Sequence, residues 1–297
     1  MYAGVYPMLY AFFDDAGRID PGAMRRQVES CVEVGTQGVA VLGLATETHK
    51  LDLFERREIL DIAARSIGGR LPLAVTVAEP SVAGQIAFAK RAADVGAAWL
   101  ILQPPNVAGV GEGEVEAFIS KVADGIELPF AIQNAPGLLP VSLSAETMNR
   151  IANRHANFRL VKAETPAVGI GSFVEATSAR FRVFAGYAGV DWLDAFAAGA
   201  AGLIPATDLM DVHTKVWKLL TRNSQDSRVA AVEMHNANVA LMQFTMQSLE
   251  HLLCYAKRLA AMRLGISFGS ARSPAVHPSA LGMDILTRLS RHLPGLP

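Results

Sequence analysis

The sequence predicts a (β/α)8 TIM barrel followed by a C-terminal helical extension. Up to Asp208, eight short apolar runs alternate with segments whose apolar residues recur at helical spacing. Several of those runs, such as Gly38 to Gly43 and Trp99 to Leu102, are apolar at nearly every position, as strands are when other structure covers both faces. Beyond Asp208 the strand texture stops and only helical patterns remain. Eight strand and helix pairs match the barrel. Periodicity alone does not show closure, so a doubly wound open sheet stays the alternative.

In chain order, strands are expected near residues 4–10, 38–43, 72–77, 98–103, 129–134, 158–162, 181–185 and 201–205. Helical periods fill Pro21 to Val34, Leu53 to Ile67, Val82 to Val95 and Val115 to Ile126. Gly35 and Gly96 follow the ends of two of these segments, and Ser142 or Ser144 is placed to cap a helix starting near Ala145. Residues 209–223, 227–246, 248–264 and 279–291 read as helices, with Gly265 to Pro278 as an irregular connection. The first completes the eighth unit. The expected organisation is a catalytic barrel over 1–224 and a helical region over 225–297 packed on it.

The chain has 297 residues, 51% of them apolar, so it can bury a barrel-sized core. Its net charge is −1, with Lys and Arg scattered rather than striped, which gives a nucleic acid or an acidic membrane no electrostatic footing. A small molecule is the expected partner. Cys31 and Cys254 each sit inside an apolar helical pattern, which fits a reducing compartment and neither a disulfide framework nor a metal site. No apolar run is long enough to span a bilayer and the N-terminal residues lack a basic leader, so a soluble cytoplasmic protein is expected. The seven histidines show no metal-ligand spacing, and His49 reads as a rim residue. Gly109, Gly111 and Gly113 are interrupted by Glu112 and followed by Glu114 and Glu116, so that stretch reads as a flexible loop rather than a phosphate cradle. Asp208 and Asp211 read as helix-capping residues, and Met234, Met242 and Met246 as core filler.

The segment from Phe158 to Pro166 carries the chemistry. It reads as a buried strand that ends in Lys162-Ala163-Glu164 before a proline opens the next helix. Side chains two apart on a strand share a face, so Lys162 and Glu164 project together. Two readings stand side by side: an ion pair that settles two charges, or a Schiff-base lysine with an acid/base neighbour. Barrel enzymes place catalytic groups at the C-terminal ends of strands, where a lysine is removed from bulk water and its amine becomes nucleophilic. Gly43 to Glu47, Gln103 to Asn106, Gln133 to Gly137, Gly186 to Gly189 and Ile204-Pro205 lie at the other strand ends.

On these residues the chain resembles the N-acetylneuraminate lyase and dihydrodipicolinate synthase superfamily of class I aldolase-type barrels. The likeness runs through Gly43-x-x-x-Glu47, Asn134-x-Pro136-Gly137, Val161-Lys162, the Gly186 loop and Gly199 to Ile204. It implies that Lys162 forms a Schiff base with a 2-oxo acid, and that Ala45 and Ile204 border the bound pyruvyl moiety. It also implies a homotetramer built as a dimer of dimers, and no cofactor. The departures are informative. The strand-two loop retains a single hydroxyl, on Thr46, to join the backbone donors in holding a substrate carboxylate. Gln133 stands where the family has its catalytic tyrosine, and Pro104-Pro105-Asn106 replaces Pro-Tyr-Tyr, so the tyrosine relay of a dihydrodipicolinate synthase is absent. Gln133 can orient a group or a water but is no general acid or base.

Gln133-x-Ala135-Pro136, Lys162 to Pro166 and Gly186-x-x-Gly189 are similar to the sugar-acid dehydratase branch, in particular L-2-keto-3-deoxyarabonate dehydratases. That likeness implies that Glu164 takes the C3 proton of the imine and that a 2-keto-3-deoxy sugar acid loses water. Lys162, Glu164 and Gln133 are then the catalytic set. Ala45, Thr46, Gly186, Tyr187 and Ile204 form the substrate-binding set, with Tyr187 open to a packing role instead. A retro-aldol lyase that releases pyruvate and a non-catalytic 2-oxo acid binding protein are the alternatives.

Overall fold

The computed structural model describes residues 2–222 and 224–297. All eight expected strands are present: β1 (Gly4–Val5), β2 (Val39–Val41), β3 (Leu73–Val77), β4 (Trp99–Leu102), β5 (Phe130–Asn134), β6 (Phe158–Ala163), β7 (Arg182–Ala185) and β8 (Gly202–Leu203). Their order in the sheet is β1-β8-β7-β6-β5-β4-β3-β2, so β2 to β8 follow one another in sequence order and β1 lies beside β8. The fold is a (β/α)8 barrel with C-terminal helices. The chain divides into two compact units.

The first unit contains Pro72–Tyr187 and Asp191–Ile204. Here β3 to β8 pair in parallel, interleaved with α3 (Val82–Asp94), α4 (Glu112–Asp124), α5 (Ala145–Arg154), α6 (Ala167–Ala176) and α7 (Trp192–Ala197). Trp99 and Phe184 pack at 5.3 Å between ring centroids, and Phe130 stacks on Phe158 at 5.1 Å. Ser144 is the residue that caps α5, accepting from the Thr147 amide. Helix α4 begins at Glu112, three residues before the predicted Val115, with Gly111 at its cap. The 109–113 stretch is thus only partly loop. Glu112 and Glu114 stand in the first turn, where carboxylates complement the helix dipole, and Glu112 also accepts from the Ser144 amide.

The second unit contains Gly4–Leu71, Ala188–Val190 and Pro205–Pro297. Asp20 caps α1 (Pro21–Val34) through the Gly22 and Ala23 amides, and Gly35 ends it at φ 73°. Asp52 and Glu55 form a capping box on α2 (Leu53–Ile67). The remaining helices are α8 (Met210–Leu220), α9 (Gln225–Thr245), α10 (Leu249–His251), α11 (Lys257–Leu264) and α12 (Ala280–Ser290), with a π-helical turn over Leu252–Ala256 between α10 and α11. Met8 bridges in parallel to Ala40 of β2 and to Ala206 just past β8. A closed barrel requires such pairing of its first strand on both sides, and an open doubly wound sheet lacks it.

Neither Asp208 nor Asp211 caps a helix as the sequence suggested. Asp211 makes a buried two-point ion pair with Arg263, at 2.9 and 2.8 Å, and Asp208 accepts a hydrogen bond from the Tyr10 hydroxyl at 2.9 Å. Burial pushes the Asp208 carboxyl up from 3.8 to about 6, against the opposing pull of the Tyr10 hydrogen bond and the Arg263 charge. The native state therefore binds more protons than the unfolded chain between these values, and stability falls as pH rises through that window. Asp208→Asn keeps an acceptor for Tyr10 and removes the buried charge. It should exceed the wild type in stability by on the order of 2–3 kcal/mol at pH 8, with the gain shrinking toward pH 4.5, as urea unfolding at the two pH values will measure. A gain that does not change with pH would contradict this assignment.

Candidate active site

Lys162 lies on β6 with 4% of its surface exposed, beside Gln133 of β5 and Phe184 of β7 in the strand register. Its Nζ donates to Glu164 Oε1 at 2.5 Å. Glu164 stands one residue past the strand, 5% exposed, with its amide bonded to the Asn134 carbonyl at 2.9 Å. The parity read from the sequence therefore produces direct contact. Glu164 Oε2 accepts from the Tyr187 amide at 2.8 Å, which occupies the second oxygen and fixes the plane of the carboxylate.

The loop after β7 is shaped to receive that carboxylate. A Cβ on Gly186 would stand 1.9 Å from Glu164 Oε2, so only glycine leaves room for it. Tyr187 and Ala188 follow with φ of 51° and 50°, left-handed backbone that costs a non-glycine residue on the order of 1–3 kcal/mol. Turned this way, the chain presents the Tyr187 amide to Glu164. The Tyr187 hydroxyl lies 2.8 Å from where a Cβ on Gly137 would stand, against the strand-five turn. Asn134 anchors that turn by bonding the Leu143 amide and carbonyl at 2.9 and 3.1 Å.

Gln133 is fully buried, and among the described residues neither its amide oxygen nor its nitrogen has a hydrogen-bond partner. Each unmade bond costs about 1–3 kcal/mol, a penalty that a bound polar molecule would relieve. Thr76 of β3 repeats the pattern, 1% exposed with its hydroxyl unpartnered among the described residues. The register places it in a row with Ile101, Ala131 and Leu160, and Leu160 shares the face of Lys162. Sequence reasoning passed over Thr76. Its signal was a lone hydroxyl in the otherwise apolar run Leu73 to Val77.

Ile204, also in this unit, is buried and bonded through its amide to the Ala185 carbonyl at 2.9 Å. Ala45 and Thr46 belong to the second unit. The Thr46 hydroxyl is engaged there, donating to the Leu9 carbonyl at 2.6 Å and accepting from the Leu42 amide at 3.0 Å. Glu47, at φ 58°, is buried between Lys257 at 2.6 Å and Lys50 at 3.3 Å. His49 is half-exposed and 3.7 Å from Glu250. Cys31 and Cys254 are free and buried. Among the described residues no cluster of three or more His, Cys, Asp or Glu is placed to hold a metal, and no helix is long and apolar enough to cross a membrane.

Fold and site together define a parallel barrel with a buried lysine and glutamate at the end of its sixth strand. The chain belongs to the dihydrodipicolinate synthetase family, whose family model matches residues 1–284. It is 28% identical over 168 residues to the L-2-keto-3-deoxyarabonate dehydratase of Azospirillum brasilense, covering 56% of this chain and 54% of that protein. It is 25% identical over 190 residues to Escherichia coli YjhH, named a probable 2-dehydro-3-deoxy-D-pentonate aldolase, covering 63% of each. A 4-hydroxy-tetrahydrodipicolinate synthase of Gluconacetobacter diazotrophicus is 30% identical over 77% of both chains. The chain thus spans between about half and two thirds of the length of the first two relatives. The solved sialic acid aldolase of Ruminococcus gnavus superposes with a TM-score of 0.87 at 20% identity, over 98% of this chain and 96% of that one, which shows the shared fold.

The fit of Gly186 against Glu164 is open to test without any substrate. Gly186→Ala must push the carboxylate away, breaking the Tyr187 bond and disturbing the buried pair with Lys162. A loss of about 1–3 kcal/mol in urea unfolding is expected, with the Glu164 carboxylate displaced in a crystal structure of the variant. Unchanged stability with the carboxylate in place would refute the fit.

Proposed function

We propose that this chain is a Schiff-base-forming lyase that dehydrates a 2-keto-3-deoxy sugar acid. The observation that carries the reading is the 2.5 Å contact of Lys162 Nζ with Glu164, whose other oxygen is held by the Tyr187 amide. Loss of the Lys162 proton to water leaves a neutral amine beside the Glu164 carboxylate. The amine attacks the C2 carbonyl carbon, and a proton returned from water to the carbinolamine hydroxyl lets it depart as water and leaves an iminium. The carboxylate then removes a C3 proton, and the electron pair of that bond becomes the enamine. Expulsion of the C4 hydroxyl, protonated by Glu164, releases a second water. Hydrolysis of the conjugated iminium frees the dehydrated 2-oxo acid and regenerates Lys162.

Gln133 supports elimination over aldol cleavage, because an amide does not take the proton from a C4 hydroxyl as a tyrosine would. The same substitution, with Asn106 on the strand-four loop, argues against dihydrodipicolinate synthesis. Retro-aldol cleavage is the second reading. It is favoured by the aldolase named among the relatives and by the unpartnered Gln133 amide, which could hold a water as proton carrier. Product analysis separates the two: a dehydrated acid of unchanged carbon skeleton means elimination, and pyruvate with an aldehyde means cleavage. We also infer a homotetramer, supported by exposed Val229 and Val232 on α9 and Leu281 on α12. Light scattering that reports a monomer at micromolar concentration would refute it.

Glu164→Gln separates a base from a mere counter-ion. The variant should still give a borohydride-trapped adduct of pyruvate on Lys162, yet lose about 10²–10⁴-fold in turnover and in exchange of C3 hydrogens into deuterated water. Lys162→Ala should abolish trapping and turnover together. Exchange at the wild-type rate in Glu164→Gln would place the base elsewhere.

A further inference from the structure

The helix that follows the sixth strand takes its cap from a distant residue. Helix α6 starts at Ala167, three residues past Glu164, and Pro166 stands at its N-cap position with no side-chain oxygen to offer. The first amides of a helix have no partner within it. Asp191 supplies one: its Oδ2 accepts from the Ala167 amide at 2.5 Å. Asp191 itself opens α7, at a position where aspartate ordinarily caps its own helix, yet it makes no capping bond there. Its carboxylate serves α6 instead, 24 residues back in the chain.

This bond has a counterpart in the site. Glu164 Oε2 accepts from the Tyr187 amide at 2.8 Å, so two bonds run in opposite senses between the turn after β6 and the loop after β7. A carboxylate of each segment accepts from an amide of the other. One such bond lets the segments swing about it, whereas two fix both separation and direction. Glu164, Ala167, Tyr187 and Asp191 all belong to the first unit. We propose that Asp191 is a positioning residue for proton transfer at C3: by holding Ala167 it fixes the turn after β6 against the Tyr187 amide, and with it the plane of the Glu164 carboxylate. The proposal rests on the reading of Glu164 as the base. It predicts a specific division of labour. Imine formation needs the amine of Lys162, which sits on the strand itself, whereas abstraction needs a carboxylate one residue beyond the strand to stay in a fixed place.

The test uses pyruvate as probe, with borohydride trapping on Lys162 and exchange of the pyruvate methyl hydrogens in deuterated water read by NMR. In Asp191→Ala, trapping should stay within about twofold of wild type while exchange slows about 10–100-fold, the usual cost of misplacing a catalytic group by about an ångström. Ala167→Pro removes the same bond from its other side, because proline has no amide hydrogen and is well tolerated at the first position of a helix. It should show the same split, and it carries the test where Asp191→Ala does not fold. Asparagine keeps an acceptor oxygen in place of the carboxylate, so Asp191→Asn should restore exchange to within about threefold. Exchange at the wild-type rate in a variant that lacks the bond would overturn the proposal, as would a parallel fall of trapping and exchange, or an asparagine variant as slow as alanine. Glu164→Gln in the same assay keeps the two readings apart. Slow exchange there with wild-type exchange in Asp191→Ala overturns the role of Asp191 alone, and wild-type exchange in Glu164→Gln overturns the base and the role of Asp191 with it.

Discussion

The buried contact between Lys162 and Glu164 is the constraint around which the site is arranged. Taking both groups out of water costs several kcal/mol each, and their attraction compensates only with close geometry and every remaining polar position satisfied. The structure supplies the close geometry and a partner for each carboxylate oxygen. Strand parity puts both side chains on one face, the glycine at 186 leaves space for the carboxylate, and the Tyr187 amide takes its second oxygen. Two left-handed non-glycine residues are the conformational cost of that amide's direction.

Buried charge recurs in the second unit with a different purpose. Glu47 is held by Lys257 and Lys50, and Asp211 by Arg263, at full burial and short distance. The Lys257 ammonium also sits over the Phe13 ring at 4.7 Å, where the π face offsets part of its lost hydration. These pairs join the loop after β2 and the segment after β8 to α11. Removing one partner would leave the other buried and unpaired, so they act as fixed joints between strand-end loops and the C-terminal helices. The π-helical turn over Leu252–Ala256 lies immediately before Lys257.

The elements were legible because their signals are local. The apolar runs of β3 to β6 are bounded by turn residues, α1 opens on Asp20-Pro21 and ends at Gly35, and both limits match the structure. Helix α4 was missed by one turn because three glycines weigh against a helix locally, while Glu112 secures its start by reaching Ser144, distant in sequence. Asp208 and Asp211 look like caps because Asp near a helix start usually caps. Their true partners, Tyr10 and Arg263, lie 198 and 52 residues away, and no local pattern reveals them. Thr46 shows the same blindness: its hydroxyl is bound to Leu9 and Leu42.

What the sequence determined by itself is whatever follows from alternation along one strand or one helix turn. This includes the barrel's eight units and the shared face of Lys162 and Glu164, whereas the loss of a tyrosine at Gln133 shows only through the family resemblance. What only the tertiary structure decided is which groups meet across the fold. The Tyr187 amide on Glu164, and the Gln133 amide beside Lys162 and the Thr76 hydroxyl, which have no partner among the described residues, all depend on register and backbone direction. A strand's period dictates which way a side chain points. It carries no information on what stands opposite, because that is set by the pairing of distant segments, and a carboxylate is oriented only when those segments are in place.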